Sequence, residues 1–462
     1  MVTIIGTSNS DVITPSFVSS GVTGGVPSGG ADSIVGGDGN DTINGGGGAD
    51  TSIGGNGNDY IFAVLGTPES IDGGADVDTL DTTAFTGNYV VNLATGATNF
   101  AGESFVNMEN LISGVGNDSL TGTGGANLID GGDGNDTING GGGADTSIGG
   151  NGNDYIFAVL GTPESIDGGA GVDTLDTTAF TGNYVVNLAT GKTNFAGESF
   201  IHMENLISGA GNDSLTGTAG ANKIDGGAGN DSIDGGAGND TINGGGGADT
   251  SIGGAGNDYI YAVIGTPESI DGGTGVDTLN TTAFAGNYVV NLATGATNFA
   301  GESFINMENL ISGAGNDSLT GTAGVNKIDG GAGNDSIDGG GGADKLTGGL
   351  GADSLTGGAG SDNFVFTDIA QSTVAIAGRD EVADFNQDKI DLKLIDANTG
   401  LAGDQAFTLI GTAAFSGVAG ELRYALSGGN TLVTGDVNGD ATADFAVLVT
   451  GVHSFVGADF LL

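Results

Sequence analysis

The carboxylates of this chain return on a fixed period. In the stretch GGDGNDTINGGGGADTSIGGNGNDYIF, Gly36 to Phe62, a glycine pair, an aspartate and one large apolar residue recur every nine positions, on the register GGxGxDxUx. Glycine tolerates positive φ and close backbone approach, so the first six residues can form a tight turn that aims carbonyl oxygens and one carboxylate inward. A flexible cage of about six to eight carboxylate and carbonyl oxygens suits Ca²⁺ better than Mg²⁺, which demands strict octahedral geometry and holds its waters.

The acidic and leading glycine positions are the candidate metal ligands. In the first array, Pro27 to Phe62, they are Asp32, Gly36, Asp41, Gly45, Asp50, Gly54 and Asp59. The second, Ser113 to Phe157, carries Asp118, Gly131, Asp136, Gly140, Asp145, Gly149 and Asp154. The third, Ser208 to Tyr261, carries Asp213, Gly226, Asp231, Gly235, Asp240, Gly244, Asp249, Gly253 and Asp258. The fourth, Ser312 to Val365, carries Asp317, Gly330, Asp335, Gly339, Asp344, Gly348, Asp353, Gly357 and Asp362. Asparagine replaces the aspartate at Asn127, Asn222 and Asn326, and those turns are expected to bind a cation less well. Ser52, Ser147 and Ser251 stand at the apolar slot with isoleucine one step later, so a local strand slip is expected there.

The elements that position these ligands follow from the remaining three residues. The segment xUx makes a short strand with one side chain inward, and two motifs close a coil whose strands lie in two facing parallel sheets. Aspartates nine apart then sit on opposite edges, and those eighteen apart stack at ~4.8 Å. Bare carboxylates so placed repel along the edge, and a cation between successive turns removes the repulsion. A flexible Gly/Asp linker would keep no apolar slot, whereas Ile34, Ile43, Ile61, Leu120, Ile138 and Ile156 hold it. On the order of a dozen Ca²⁺ sites result, each worth ~1.4 kcal/mol at calcium about tenfold above its dissociation constant and near zero at cytosolic calcium.

Composition points the same way. The chain has 462 residues, 97 of them glycine, and a formal charge of -49. Such a chain stays disordered unless its charge is neutralised. The first basic side chain is Lys192, so nucleic acid is excluded as a partner, and anionic membranes with it. Cysteine is absent and the two histidines, His202 and His453, are far apart, which leaves no transition-metal cluster and makes both ordinary surface residues. No apolar run is long enough to span a bilayer, and the opening MVTIIGTSNSDVITP lacks the pattern of a cleaved leader.

A longer period overlies the nonapeptide. GNDY recurs at Asp59, Asp154 and Asp258, and one additional motif, GGAGNDSID at Gly226 to Asp234, separates the two spacings. A degenerate repeat and loop (1–26) precedes the arrays, and strand-rich blocks (63–112, 158–207, 262–311) divide them. In Thr82 to Ser113, Tyr89, Val91 and Leu93 alternate as a half-buried strand, and Phe105 to Ile112 reads as one further strand that helps seal the array end. Past Phe366 the glycine pairs give way to β-branched and aromatic residues, expected to form a β-sandwich-like domain (366–462).

These repeats resemble the RTX, or haemolysin-type, calcium-binding proteins. The resemblance implies an all-β chain built as a parallel β-roll in several arrays, and export by a type I secretion apparatus. The C-terminal segment, with DEVADFNQDKIDLKLIDA, TGDVNGDATADFAVLVTG and the end Asp459, Phe460, Leu461 and Leu462, is similar to the secretion domain of serralysin-type proteases. Their zinc motif HExxH is missing, since Met203, Glu204 and Asn205 follow His202, and the protease activity does not transfer. Asp436, Asn438, Asp440, Thr442 and Asp444 have EF-loop spacing, but Ala441 and Val447 replace the loop glycine and final glutamate, so a plain loop is expected.

The expected function is that of a non-enzymatic, secreted, calcium-folded structural or adhesive protein of the cell surface or matrix, surface-layer-like, whose partners are cell-surface polysaccharide or other copies of itself. One alternative is an extracellular hydrolase or lyase, with Glu103, Glu198 and Glu302 or Glu109, Glu204 and Glu308 as its acids. Another is a calcium-dependent ice or polysaccharide binder, for which Thr42, Thr137 and Thr241 form too irregular a row.

Overall fold

The computed structural model describes residues 1–462 apart from 65–66, 160–161 and 264–265. Among these the chain forms β-strands and two short 3₁₀ turns, with no α-helix. It is a parallel β-roll. Two compact units divide it, Met1–Ala228 and Gly229–Leu462.

In the first unit most strands are three-residue xUx segments, such as Thr42–Asn44 and Tyr60–Phe62, and successive strands alternate between two sheets. Each pairs in parallel with the strand one coil later, so Ile43 lies beside Ile61 and Ile61 beside Leu80. The single inward side chain is fully enclosed at Ile34, Ile43, Ile61 and Leu80. Its neighbours in the strand cannot follow it inward, because consecutive side chains leave opposite faces of a strand.

The serine-bearing motifs do not slip. Ser52 stands inward between Ile34 and Ile71 in unbroken register, and Ser147 does the same between Ile129 and Ile166. Ile53 is carried to the outer face instead. The ladder's backbone hydrogen bonds continue on both sides of the serine, and a one-residue slip would have broken them to gain one buried side chain.

The strand-rich blocks are part of the roll. Val90–Asn92 forms a hairpin with Ala97–Thr98 and starts a new sheet by pairing with Ser119–Thr121. Tyr89, Val91 and Leu93 are buried as expected, with Phe85 stacked 4.4 Å from Tyr89. The single strand expected over Phe105 to Ile112 is two strands. Ser104–Val106 ends one existing sheet against Ser70–Ala75, and Asn110–Ile112 continues the other against Thr79–Asp81. Asn107, at φ 51°, makes the turn between them without any glycine pair. The second block repeats this construction but replaces the other sheet: Ser199–Ile201 closes against Ser165–Ala170 while Val185–Asn187 opens a new sheet with Ser214–Thr216.

In the second unit the third block does likewise with Val289–Asn291 and Ser303–Ile305. Here the coils run past the last glycine pair into the C-terminal segment. Ser354–Thr356 pairs with Glu381–Val382, and Asn363–Val365 with Lys389–Asp391. The antiparallel strands Glu421–Ser427, Asn430–Asp436 and Phe445–Val449 then extend one roll sheet, and Phe460–Leu461 extends the other.

Candidate metal centre

Each motif aspartate lies at the inner corner of a turn, just before its strand, and is withdrawn from solvent. The backbone N–H of one aspartate donates to Oδ1 of the aspartate one coil later. This joins Asp32 to Asp50, Asp41 to Asp59, Asp118 to Asp136 and Asp136 to Asp154 at 2.7–2.8 Å. In the second unit the same bond joins Asp231 to Asp249, Asp240 to Asp258, Asp317 to Asp335, Asp335 to Asp353 and Asp344 to Asp362, each at 2.8 Å.

The second carboxylate oxygen is the one that matters for a cation. Oδ2 of Asp41, Asp50, Asp59, Asp136, Asp145, Asp154, Asp249, Asp258, Asp335, Asp344, Asp353 and Asp362 is buried with no hydrogen-bond donor. A buried ionised oxygen without a partner is costly, so each needs a proton or a cation. Burial first, and neighbouring carboxylates second, push Asp41 up to about 6 and Asp136 and Asp335 up to about 7.

The leading glycines supply the other side of the cradle. A Cβ on Gly54 would lie 2.1 Å from Asp59 Oδ2 and 2.4 Å from the carbonyl oxygen of Gly73, one coil later. Gly36, Gly131, Gly149, Gly235, Gly253, Gly330 and Gly339 meet the same pair of groups, their own aspartate and a glycine carbonyl of the next coil. Gly45, Gly140, Gly244, Gly348 and Gly357 face their own aspartate. Gly226 is buried at the same register. Among the described residues no three carboxylate or imidazole side chains converge on one point, so a cation held here takes backbone carbonyls along with carboxylates.

Four predicted ligands differ from the rest. Asp32 Oδ2 accepts the N–H and hydroxyl of Ser28, and Asp118, Asp213 and Asp317 Oδ2 accept the hydroxyls of Ser113, Ser208 and Ser312. Each opens an array, and a serine near the start of its turn caps the first carboxylate. The asparagine turns are also self-sufficient. Asn326 Nδ2 donates to the carbonyl of Glu308 one coil earlier at 2.6 Å, and Asn222 does so to Glu204. Asn127 donates to Glu109 in the same way. In these turns the asparagine Oδ1 takes the place of the bare oxygen and accepts the N–H of Thr123, Thr218 or Thr322, so it is already satisfied.

Several row members escaped the nonapeptide reading. Asp78, Asp173 and Asp277 continue the rows, accepting from Asp59, Asp154 and Asp258, and their Oδ2 atoms have no donor. Asp380 and Asp388, outside any motif, accept from Asp353 and Asp362. Burial, then the charges of Asp353 and Asp335, drive Asp380 up to about 8. The lone motifs GGADVDTLD and GGAGVDTLD were the available signal for Asp78 and Asp173, but nothing in the sequence marks Asp380 and Asp388 as in register.

The candidate acids of the enzymatic reading belong to the same rows. Glu109 Oε2 accepts the N–H of Asp78, as Glu204 does from Asp173 and Glu308 from Asp277, each at 2.9 Å. Glu103 stands in register with Glu69, which follows Asp50. Elsewhere, His202 is exposed and pairs with Asp167, and His453 lies against Phe385 and Phe455. In the loop after Asp436, the carboxylate of Asp436 already accepts backbone N–H groups of Asn438, Gly439 and Ala441.

Comparison with known families matches residues 27–61, 112–147, 207–242, 229–260, 311–346 and 338–366 to the RTX calcium-binding nonapeptide repeat. The arrays are RTX calcium-binding repeats. Among solved structures, the R2 subunit of the mannuronan C5-epimerase of Azotobacter vinelandii is similar over 32% of this chain and 88% of its own, at 29% identity and a TM-score of 0.25. The R3 subunit of the same epimerase is similar over 43% of this chain and 83% of its own, at 21% identity and a TM-score of 0.19. No curated protein matches the chain.

Proposed function

We propose that this RTX chain is a secreted structural protein of the cell surface or extracellular matrix that folds when it meets extracellular calcium. The carrying observation is the row of buried Oδ2 atoms without donors, with a glycine carbonyl of the next coil beside the turns of Asp41, Asp59, Asp136, Asp154, Asp258, Asp335 and Asp344. The motif aspartates and these carbonyls would hold the ions. Calcium bound there supplies positive charge that the chain lacks, and the residues themselves fix the spacing of the turns. At submicromolar calcium the rows repel and the chain stays extended enough for a type I channel, whereas millimolar calcium adds ~1.4 kcal/mol per site.

A non-catalytic role fits the triplicated, nearly identical modules, which serve a spacer or lattice element better than a reaction centre. Self-association or attachment to surface polysaccharide would follow from that role. Circular dichroism of the full chain during calcium titration tests the reading: a disordered spectrum in excess chelator should convert cooperatively to β structure in the millimolar range. A folded spectrum in chelator at neutral pH would overturn it. Release of the protein from intact cells on chelation would test the surface location.

A further inference from the structure

Each strand-rich block closes one sheet of the roll on a column of hydroxyls. On the outer face of the sheet that ends at Ser104–Val106, Thr3, Ser33, Thr51, Ser70 and Ser104 stand in one line, each paired with the next. The other outward side chain of each strand forms a second column, Ile5, Val35, Ile53, Asp72 and Val106. The construction recurs twice. Thr146, Ser165 and Ser199 run beside Ile148, Asp167 and Ile201, and Thr250, Ser269 and Ser303 beside Ile252, Asp271 and Ile305. Thr42, Thr137 and Thr241 lie on the opposite sheets, next to Tyr60, Tyr155 and Tyr259, and form no such line.

These strips are open to solvent. Among the described residues none of the column hydroxyls makes a hydrogen bond within the protein, and Val106, Ile201, Ile252 and Ile305 are 38–41% exposed. The aspartate of each apolar column is held by the block itself, Asp72 by Asn107 and Asp271 by Asn306 at 2.8 Å, and Asp167 by His202 at 2.7 Å. Each strip also leads to a cavity. Val106, Ile201 and Ile305, the last members of the apolar columns, line cavities of about 400, 410 and 690 Å³. In the first of these Thr95, Asn107, Glu109 and Thr123 supply polar groups beside the buried Met108.

We propose that each strip and its cavity form a binding site for one extended, neutral, β-1,4-linked polysaccharide chain that lies along the strip with a chain end or side group in the cavity. This names the surface and the class of partner for the polysaccharide attachment above, and it rests on the calcium-folded roll. The dimensions exclude a globular partner: the longest strip measures about 19 Å by 7 Å, far below the ~800 Å² that each side of a stable protein interface buries. Hydroxyls one coil apart, ~4.8 Å, can donate to and accept from successive sugars of an extended chain, while the aliphatic column packs on the carbon faces of the rings. An α-1,4-linked chain coils and leaves a straight strip. The polymer is neutral because no lysine or arginine precedes Lys192, so the first strip offers an acidic sugar an aspartate and no cation.

The test titrates the calcium-loaded full chain by isothermal calorimetry with hexaoses of β-1,4-linked glucose, mannose and N-acetylglucosamine, and with the α-1,4-linked glucose hexaose as control. At least one β-linked hexaose should bind, and more tightly than the control. The combined variant Thr51→Ala, Ser70→Ala, Thr146→Ala, Ser165→Ala, Thr250→Ala and Ser269→Ala should keep its β structure in calcium and lose about tenfold or more in affinity. Val106→Arg, Ile201→Arg and Ile305→Arg together keep every hydroxyl but obstruct strip and cavity, and should weaken binding as well. Thr42→Ala, Thr137→Ala and Thr241→Ala, on the opposite sheets, should leave it unchanged. A folded wild type that binds none of the β-linked hexaoses, or binds the control equally, would overturn the proposal, as would undiminished affinity in either strip variant. Self-association or inhibition of ice growth that disappears in the alanine variant, without sugar binding, would assign the strips to a second copy or to ice and sink it equally. A wild type that gains no β structure in calcium would instead contradict the folding reading.

Discussion

At the scale of single residues, the motif's glycine is required by space rather than by backbone angle at its first position. Gly54→Ala places a methyl 2.1 Å from Asp59 Oδ2, where it displaces the carboxylate and the space for an ion. A loss of ~1–3 kcal/mol in the calcium-loaded chain is expected, from overpacking of a tight site. Gly47→Ala is the control, because its nearest neighbour is 3.7 Å away, and denaturation in calcium should show it close to neutral. Asn127 makes the converse case. Its amide donates to the carbonyl of Glu109, so Asn127→Asp sets a carboxylate oxygen against that carbonyl and should add one bound calcium while destabilising any residual structure in chelator. Ion counting by native mass spectrometry checks this; an unchanged count would mean that an aspartate at this register does not suffice.

At the scale of elements, one apolar side chain per strand carries the interior. Ile61 is fully enclosed between Ile43 and Leu80. Truncation, Ile61→Ala, should cost ~2–5 kcal/mol, as large-to-small changes in well-packed interiors do. Coils touch their immediate neighbours, so the loss should stay local. Hydrogen exchange in calcium should rise in Thr42–Asn44, Tyr60–Phe62 and Thr79–Asp81, and equal loss of protection in the second array would contradict a repeat-by-repeat fold. The blocks belong to this scale too. They switch the chain from one sheet to a new one while the facing sheet runs on, which keeps the roll continuous within each unit.

At the scale of the whole molecule, neutralisation of acidic charge governs folding. Without calcium, burial raises many row carboxylates above their unfolded value of 3.8, with Asp41 at about 6, Asp78 and Asp335 at about 7 and Asp380 at about 8. A carboxylate raised on folding holds its proton more tightly in the folded state. Its contribution to stability is therefore complete below pH 3.8 and is lost as pH rises through the folded value. In chelator the β spectrum should be strongest in acid and fade between about pH 4 and 8. Calcium should abolish that loss at neutral pH. A β signal in chelator that grows toward pH 8 would show that the rows are not what limits folding.

The nonapeptide made most of this legible in advance. Glycine pairs dictated turns, a single apolar slot dictated a three-residue strand, and aspartate at fixed spacing dictated stacked carboxylates, because each depends on local geometry repeated in register. What the sequence could not reveal depends on which strand lies one coil away. Asp380 and Asp388 join the rows although no motif announces them, and Glu69, Glu103 and Glu109 stand at aspartate positions with no glycine pair before them. The inward serines kept register where a slip was expected, since ladder hydrogen bonds on both sides outweigh one apolar side chain. Local spacing determined the repeat and its chemistry; pairing across the sheet decided which carboxylates share a row and which are satisfied without a cation.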